Sequence, residues 1–325
     1  MTTKLERCTR IAPLLVGMAI FAGAQAQKYP ARTIRMIIPF SAGGATDVPG
    51  RMLAQKLSEA FGQQVIIDNR PGAGSTLGAE IVAKAPPDGY TLLLTGAAHV
   101  MSAGLYSKLP YDPVRDFVPI VKIGSGPNVL VVHPSLPVQS VGQLIALANA
   151  RPGEIDFASS GNGTAQHLAG ALFQSIAGIR MNHVPYKGSA QVTADLISGQ
   201  VPVGFPGVTI ALPYAQTGRL RALAVTTMRR WKTLPTVPTM DEAGLKGYEA
   251  DIWMGLLGPR GIPTDVVAAV FREVDRILRQ PESAESLVAA GAEVSVMNSE
   301  QFTPFMQAEY RKWLRVVKAI GAPVN

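Results

Sequence analysis

From residue 33 onward, short runs of β-branched and aliphatic residues alternate with stretches in which apolar residues recur every three or four positions. The runs at 33–38, 65–68, 91–95 and 118–123 read as strands. Between the first two, Val48, Met52, Leu53, Leu57 and Phe61 lie on one face of a helix over 46–61. The second half repeats the pattern, with strands at 155–158, 181–184, 201–205 and 221–226 and helices near 164–176, 190–198 and 208–216. Strand and helix in alternation predict an α/β chain with mainly parallel sheets flanked by helices.

Two such units in one chain predict two lobes. Extended apolar runs at 128–133, after Gly-Ser-Gly-Pro, and at 253–257, before Gly258-Pro259, are the candidate crossings. One lobe is then expected from 27–127 plus 254–325 and the other from 128–253, with a double crossing that hinges a cleft. About 300 residues after the leader exceed the usual size of one hydrophobic core, which agrees with two domains.

The first 26 residues change where such a protein is expected to work. Lys4, Arg7 and Arg10 precede an apolar stretch over 11–22, and Ala24-Gln25-Ala26 follows, the layout of a secretory signal peptide cleaved after Ala26. The stretch is shorter than the roughly 20 residues a membrane-spanning helix needs. Cys8, the only cysteine, falls in the leader, so a mature chain from Gln27 has neither disulfides nor thiolate chemistry. Of 30 basic and 23 acidic residues, the leader holds three and one, leaving +5. The basic residues Arg311, Lys312, Arg315 and Lys318 share a helix with the apolar Phe302, Met306, Trp313, Val317 and Ile320, a solvated face rather than a nucleic-acid surface.

Two turns carry the candidate chemistry. Pro39-Phe40-Ser41-Ala42-Gly43-Gly44-Ala45-Thr46-Asp47 leaves the first strand and enters the first helix. A glycine-rich turn lets backbone N–H groups converge at the positive end of a helix, a seat for a carboxylate, while Thr46 or Asp47 can serve simply as a cap. It lacks the Lys-Ser/Thr pair of a nucleotide P-loop. In the other lobe, Ser159-Ser160-Gly161-Asn162-Gly163-Thr164 precedes Ala165-Gln166-His167 in the corresponding place. Two equivalent turns at the carboxyl ends of strands predict an anion held across the cleft by neutral donors. Thr95-Gly96-Ala97 and the segment at 183–188 with Tyr186 are expected at the same edge, Thr95 as a hydroxyl donor and Tyr186 as a stacking or hydrogen-bonding group.

Other chemistries find less support. Ser159, Ser160 and His167 lie close in sequence, but there is no G-x-S-x-G elbow and no obvious carboxylate to orient the histidine, so a hydrolase is the weaker reading. His99, His133, His167 and His183 are scattered without metal-ligand spacing. Gly72-Ala73-Gly74-Ser75-Thr76-Leu77-Gly78 has one residue too many between its last two glycines for a dinucleotide fingerprint. Neither a cofactor nor a metal is expected.

The chain resembles the tripartite tricarboxylate transporter receptors, also called Bug proteins. The resemblance runs in order through 39–47, Asn69-Arg70-Pro71-Gly72-Ala73-Gly74, Pro87-Asp88-Gly89-Tyr90, Leu109-Pro110-Tyr111-Asp112-Pro113, Ser160-Gly161-Asn162-Gly163-Thr164, His183-Val184-Pro185-Tyr186-Lys187-Gly188 and Gly218-Arg219-Leu220-Arg221-Ala222-Leu223. It implies a periplasmic, monomeric, non-enzymatic binding protein of Venus-flytrap fold that closes on a small organic acid. The acid would be delivered to membrane permease subunits or reported to a sensor. By carry-over, the implied contacts are the loop 41–46 with Phe40 and Asp47, the Thr95–Ala97 turn, the 160–164 turn, His167 and Tyr186. Pro206-Gly207 stands where many relatives carry an acidic residue, which disfavours amino-acid ligands.

Overall fold

The computed structural model describes residues 29–44, 46–106 and 108–320. The leader expected over 1–26, with Cys8, lies outside the described residues, as does Ala45 of the first turn.

The first sheet has the order β11-β4-β10-β3-β1-β2, from β1 (Ile34–Ile38), β2 (Val65–Asn69), β3 (Thr91–Gly96), β4 (Phe117–Gly126), β10 (Ile252–Pro259) and β11 (Glu293–Met297). The second has the order β7-β6-β8-β5-β9, from β5 (Val129–Val132), β6 (Asp156–Ser159), β7 (Asn182–Pro185), β8 (Val203–Gly204) and β9 (Arg221–Val225). The chain thus leaves the first sheet after Gly126 and returns to it at Ile252.

The sheets are mixed, which corrects the expectation of mainly parallel pairing. β1 pairs parallel with β2 and β3, and β6 pairs parallel with β7 and β8. β10 runs antiparallel to β3 and β4, β11 antiparallel to β4, and β5 antiparallel to β8 and β9. Topology supplies the reason. The strands that arrive from the other sheet, β5 and β10, start where β1, β3 and β6 end, so they must run the opposite way. β8 is also shorter than the run at 201–205, because Pro202 and Pro206 have no N–H to donate. Their carbonyls still accept from His133 N and Val129 N at 2.8 Å each.

Helices form where apolar spacing and end signals agree. α1 (Asp47–Phe61) buries Leu53, Ala54 and Leu57 and stops at Gly62, whose φ of 65° allows its N–H to cap Ser58 O. α2 (Thr76–Ala83) contains Gly78, where a Cβ would come within 2.8 Å of Pro39, so the glycine-rich run lets α2 pack under the first turn. α3 (Ala98–Leu105), α4 (Val141–Ala150), α5 (Ala165–Ala177), α6 (Ser189–Ser198) and α7 (Val208–Gln216) follow, then α8 (Thr264–Leu278), α9 (Pro281–Ala289) and α10 (Ser299–Ile320).

α10 packs against α3 and β4 of the first unit and against α5 of the second. Its buried face carries Phe302, Met306, Trp313 and Val317, while Arg311, Arg315 and Lys318 are exposed, as their spacing predicts. The indoles of Trp253 and Trp313 both donate to Glu309 Oε2, at 3.1 and 3.0 Å, which satisfies a carboxylate that burial would otherwise destabilise. Among the described residues, no helix is long and apolar enough to cross a membrane.

Candidate functional site

A cleft of about 210 Å³ lies between the two sheets. Thr46, Met254 and Ala290–Ala292 line it from the first unit, and Ser160, Thr164–Gln166, Ser189 and Gly207–Ile210 from the second, with Pro127, Asn128 and Ile252 at the crossings. Its volume is below the ~300–1,000 Å³ of drug-sized pockets, so it suits a small ligand. Gly163 and Gly291 bring the units together: a Cβ on Gly163 would lie 2.6 Å from Leu105 Cδ1, and one on Gly291 2.9 Å from Thr209 Cγ2.

Four helices begin at this cleft: α1 at Thr46, α5 at Thr164, α6 at Ser189 and α7 at Gly207. Each contributes a positive dipole end, and α5, α6 and α7 add first-turn amides, whereas at α1 Asp47 N and Val48 N both donate to Gly44 O and Pro49 has no N–H. None of the described residues lining the cleft carries a charged side chain. An anion here is therefore held by dipoles, amides and hydroxyls, without an ion pair.

The first turn is held by one carboxylate. Asp47 is buried and accepts from Gly43 N, Arg51 Nε and Asn69 Nδ2, each at 2.8 Å. Burial alone would raise its pKa, but these donors outweigh that and hold it below the usual carboxylate value. Asn69 also donates to Phe40 O and accepts from Arg51, so the Asn69-Arg70-Pro71 segment clamps the turn from the neighbouring strand. Gly43 takes φ 79° to make the bend. Asp47 is thus the organiser of the turn, Phe40 packs toward the first-unit core, and Ser41, Ala42 and Gly43 are exposed at its rim. Thr46 reaches the cleft, and its hydroxyl makes no capping bond.

The second turn is held by neutral groups. Ser160 N donates to Gln166 Oε1 at 2.9 Å, Gly161 N to Ser159 Oγ at 3.2 Å and Gly163 N to His167 Nδ1 at 3.1 Å. Thr164 caps α5 by accepting from His167 N. These bonds occupy the amides that the sequence offered to an anion. What remains at the cleft is the Ser160 hydroxyl, the first amides of α5 and Gln166 Nε2. Gln166 was not among the expected contacts, although its place two residues after a cap was a usable signal.

His167 is buried behind the turn, stacked on His183 with ring centroids 4.1 Å apart. Burial lowers both imidazoles to about 4, with His167 adding to the shift on His183. Ser159 Oγ and His183 Nε2 are 2.6 Å apart, a spacing that invites a catalytic reading. Ser159 is fully buried, however, and both partners are used in holding the turn, so this pair is structural.

The remaining expected contacts lie elsewhere. Thr95, Gly96 and Ala97 are enclosed, and Gly96 sits so close to β10 that a Cβ would meet Trp253 O at 2.4 Å. Tyr186 packs on the second-unit core and donates to Asp195 Oδ2 at 2.6 Å; burial first, then Asp195, pushes its pKa up to about 12. Asn162 is exposed at the turn's tip, and Pro206 is buried, with α7 beginning just after it. Asn128, Ser189 and Ile210 were missed because nothing in a single sequence marks which crossing or helix end closes a cleft.

Residues 50–322 match the family model of the tripartite tricarboxylate transporter family receptor. The chain belongs to this family. Protein BugT of Bordetella pertussis is 37% identical, with 94% of each chain covered. Among solved structures of family type, Rpa4515 of Rhodopseudomonas palustris with adipate is 37% identical at a TM-score of 0.78, covering 90% of this chain and 98% of its own. MatC of the same organism, with bound malate, is 29% identical at a TM-score of 0.75, covering 89% and 100%. Family and fold are those of periplasmic solute-binding proteins.

Proposed function

We propose that this receptor captures a small organic carboxylate in the cleft between its lobes, in the periplasm, and presents it to the membrane permease subunits of a tripartite tricarboxylate transporter. In this reading the lobes are 27–127 plus 254–325 and 128–253, and the leader is removed after Ala26.

The observation that carries the proposal is the convergence of four helix N-termini on a small cleft lined, among the described residues, by no charged side chain. Such a site favours an anion, and its apolar wall of Ile252, Met254, Val208 and Ala292 favours a carbon skeleton over an inorganic ion. Adipate and malate in the two structural relatives support a carboxylate of this size.

A thermal-unfolding screen tests it, with the protein first stripped of copurified ligand and then offered mono-, di- and tricarboxylates, aromatic acids and amino acids. A ligand at 100 times its Kd adds about 2.7 kcal/mol to stability, a shift that is plain to see. A flat response to every carboxylate, with a shift from an uncharged or cationic solute, overturns the proposal.

A further inference from the structure

A second cavity, of about 390 Å³, backs onto the chain segments that wall the cleft. Neighbouring residues divide between the two spaces, because successive side chains of extended chain point to opposite faces: Ile252 and Ala292 line the cleft, Asp251 and Glu293 the second cavity. No described residue lines both. The first sheet supplies Lys122, Ser125 and Ser295, and the segment after β9 supplies Arg229 and Trp231, so an occupant touches both units.

This cavity differs from the cleft in holding charges of both signs that have not met. Lys122 is 3% exposed, and its ammonium bonds only hydroxyls, Ser295 Oγ at 2.9 Å and Ser125 Oγ at 3.5 Å, with the Phe305 ring centroid 5.3 Å away. It feels Asp251 and Glu249, yet among the described residues no ion pair joins them. Lys312, the other ammonium near Asp251, is spent on Glu309 and on Glu249 O. Burial lowers the Lys122 pKa, and burial followed by Glu249 raises that of Asp251 to about 7. Arg230 and Glu293, also on the wall, are taken by Glu242 and Lys232, whereas Arg229 is exposed and Glu249 half-buried, neither in an ion pair among the described residues.

Hydroxyls do not neutralise an ammonium, and an enclosed charge without a counter-ion is costly. Perturbed groups of opposite sign gathered on one cavity mark a ligand site. An anion would answer Lys122 and Arg229 but crowd Glu249 and Asp251; a cation would do the reverse. A solute that carries both charges answers both.

We infer that this cavity is a second binding site, for a small zwitterion such as an α-amino acid, with its carboxylate toward Lys122, Ser125 and Ser295 and its ammonium toward Glu249 and Asp251. The side chain of the amino acid lies against Trp231 and Phe305. The site is separate from the cleft and does not depend on what the cleft holds.

Titration calorimetry on the stripped protein tests this, with alanine, glutamate, lysine and phenylalanine as probes, each beside its N-acetyl and methyl ester forms, which lack the ammonium and the carboxylate respectively. At least one amino acid should bind, about tenfold or more tighter than either derivative. Lys122→Met and Asp251→Asn should each weaken that binding by about tenfold or more. Binding should also change tryptophan emission, and Trp231→Phe should remove the change while calorimetry still records the binding. The inference is overturned if none of the four binds, if a derivative binds as well as its parent, or if binding survives Lys122→Met. Should Lys122→Met not fold, Trp231 decides: emission unaltered by a bound amino acid places it elsewhere and overturns the inference. The carboxylate reading of the cleft stands or falls separately, on its screen of plain acids.

Discussion

In the first turn the Gly43 amide ends on Asp47, and Asp47 ends on Arg51 and Asn69; in the second, three amides end on Ser159, Gln166 and His167. Both leave a strand, enter a helix and bring a helix N-terminus to the cleft, yet one is organised by a charge near the surface and the other by neutral groups packed among buried rings. An anion site needs amides aimed at the ligand. A turn whose glycines bend freely aims them only if something else fixes the bend. The first unit uses one carboxylate, taken up by Gly43, Arg51 and Asn69; the second uses side chains of its own turn and helix, backed by His183.

The difference can be broken most directly at Asp47. Asp47→Ala leaves Gly43 N without its acceptor and Asn69 Nδ2 with Phe40 O alone. The expected loss is about 2 kcal/mol in urea unfolding, most of it from those two part-buried bonds because Arg51 is half exposed and its share is screened. Ligand affinity should fall by more than tenfold as the turn loosens. A loss under about 0.5 kcal/mol would show that the turn holds its shape without the carboxylate. Because Asp47 titrates below the ordinary carboxylate value, its contribution is present above that value and disappears only as pH falls through the lower, folded one.

Acid should reach the second turn first. His167 and His183 titrate at about 4 in the fold against 6.5 in the unfolded chain, so the unfolded state binds more protons between these values and stability falls as pH drops from 6.5 toward 4. The stacked pair should account for about 3 kcal/mol of that loss, the worth of one such shift and not of two, because His183 is partly exposed and the rings interact. His99, also at about 4, adds a separate contribution of the same sign. Melting temperatures across pH 4–7 for the wild type and His183→Gln check this: the variant should show a shallower slope. Parallel curves would mean that the pair does not sense pH. Ligand affinity should weaken over the same window while the first turn is still intact.

Much of this arrangement was legible in sequence. The alternation of strand and helix located most of the elements it named within a residue or two, with β4 running three residues further and α2, α3, α4, α8, α9 and β11 left unread, because a buried strand is a short apolar run and a helix such as α1 or α5 carries a clear stripe and a glycine stop. The two turns were legible as glycine-rich strand-to-helix connections. Sequence does not reveal how many of a turn's amides are already spent. Whether Gly163 N faces a ligand or His167 depends on a side chain four residues on, and the same uncertainty left Asp47 open as either cap or contact. Thr95 illustrates another limit: it ends a strand like the site residues, but β10 returning beside it encloses it. Pairing between strands some 160 residues apart leaves no local trace. Asn128, Ser189 and the start of α7 reach the cleft only because the chain crosses between sheets twice, which is a property of topology.

The gentlest test compares the two bending glycines. Gly43 at φ 79° has open space where a Cβ would go, whereas Gly163 at φ 78° would place one 2.6 Å from Leu105 Cδ1, at the end of α3 in the other unit. Gly43→Ala should cost about 1 kcal/mol, the backbone strain alone. Gly163→Ala should cost about 1 kcal/mol more, a modest surplus because a leucine methyl can turn aside. The surplus acts between units, so it should appear mainly as lost ligand affinity, through hindered closure. A double-mutant cycle with Leu105→Ala separates the two effects: the added cost of Gly163→Ala should shrink toward that of Gly43→Ala once the leucine is shortened. A surplus that persists without Leu105 would place it inside the second turn itself, in the bond from Gly163 N to His167, and the two turns would then differ in strength of bonding and not in their distance from the facing lobe.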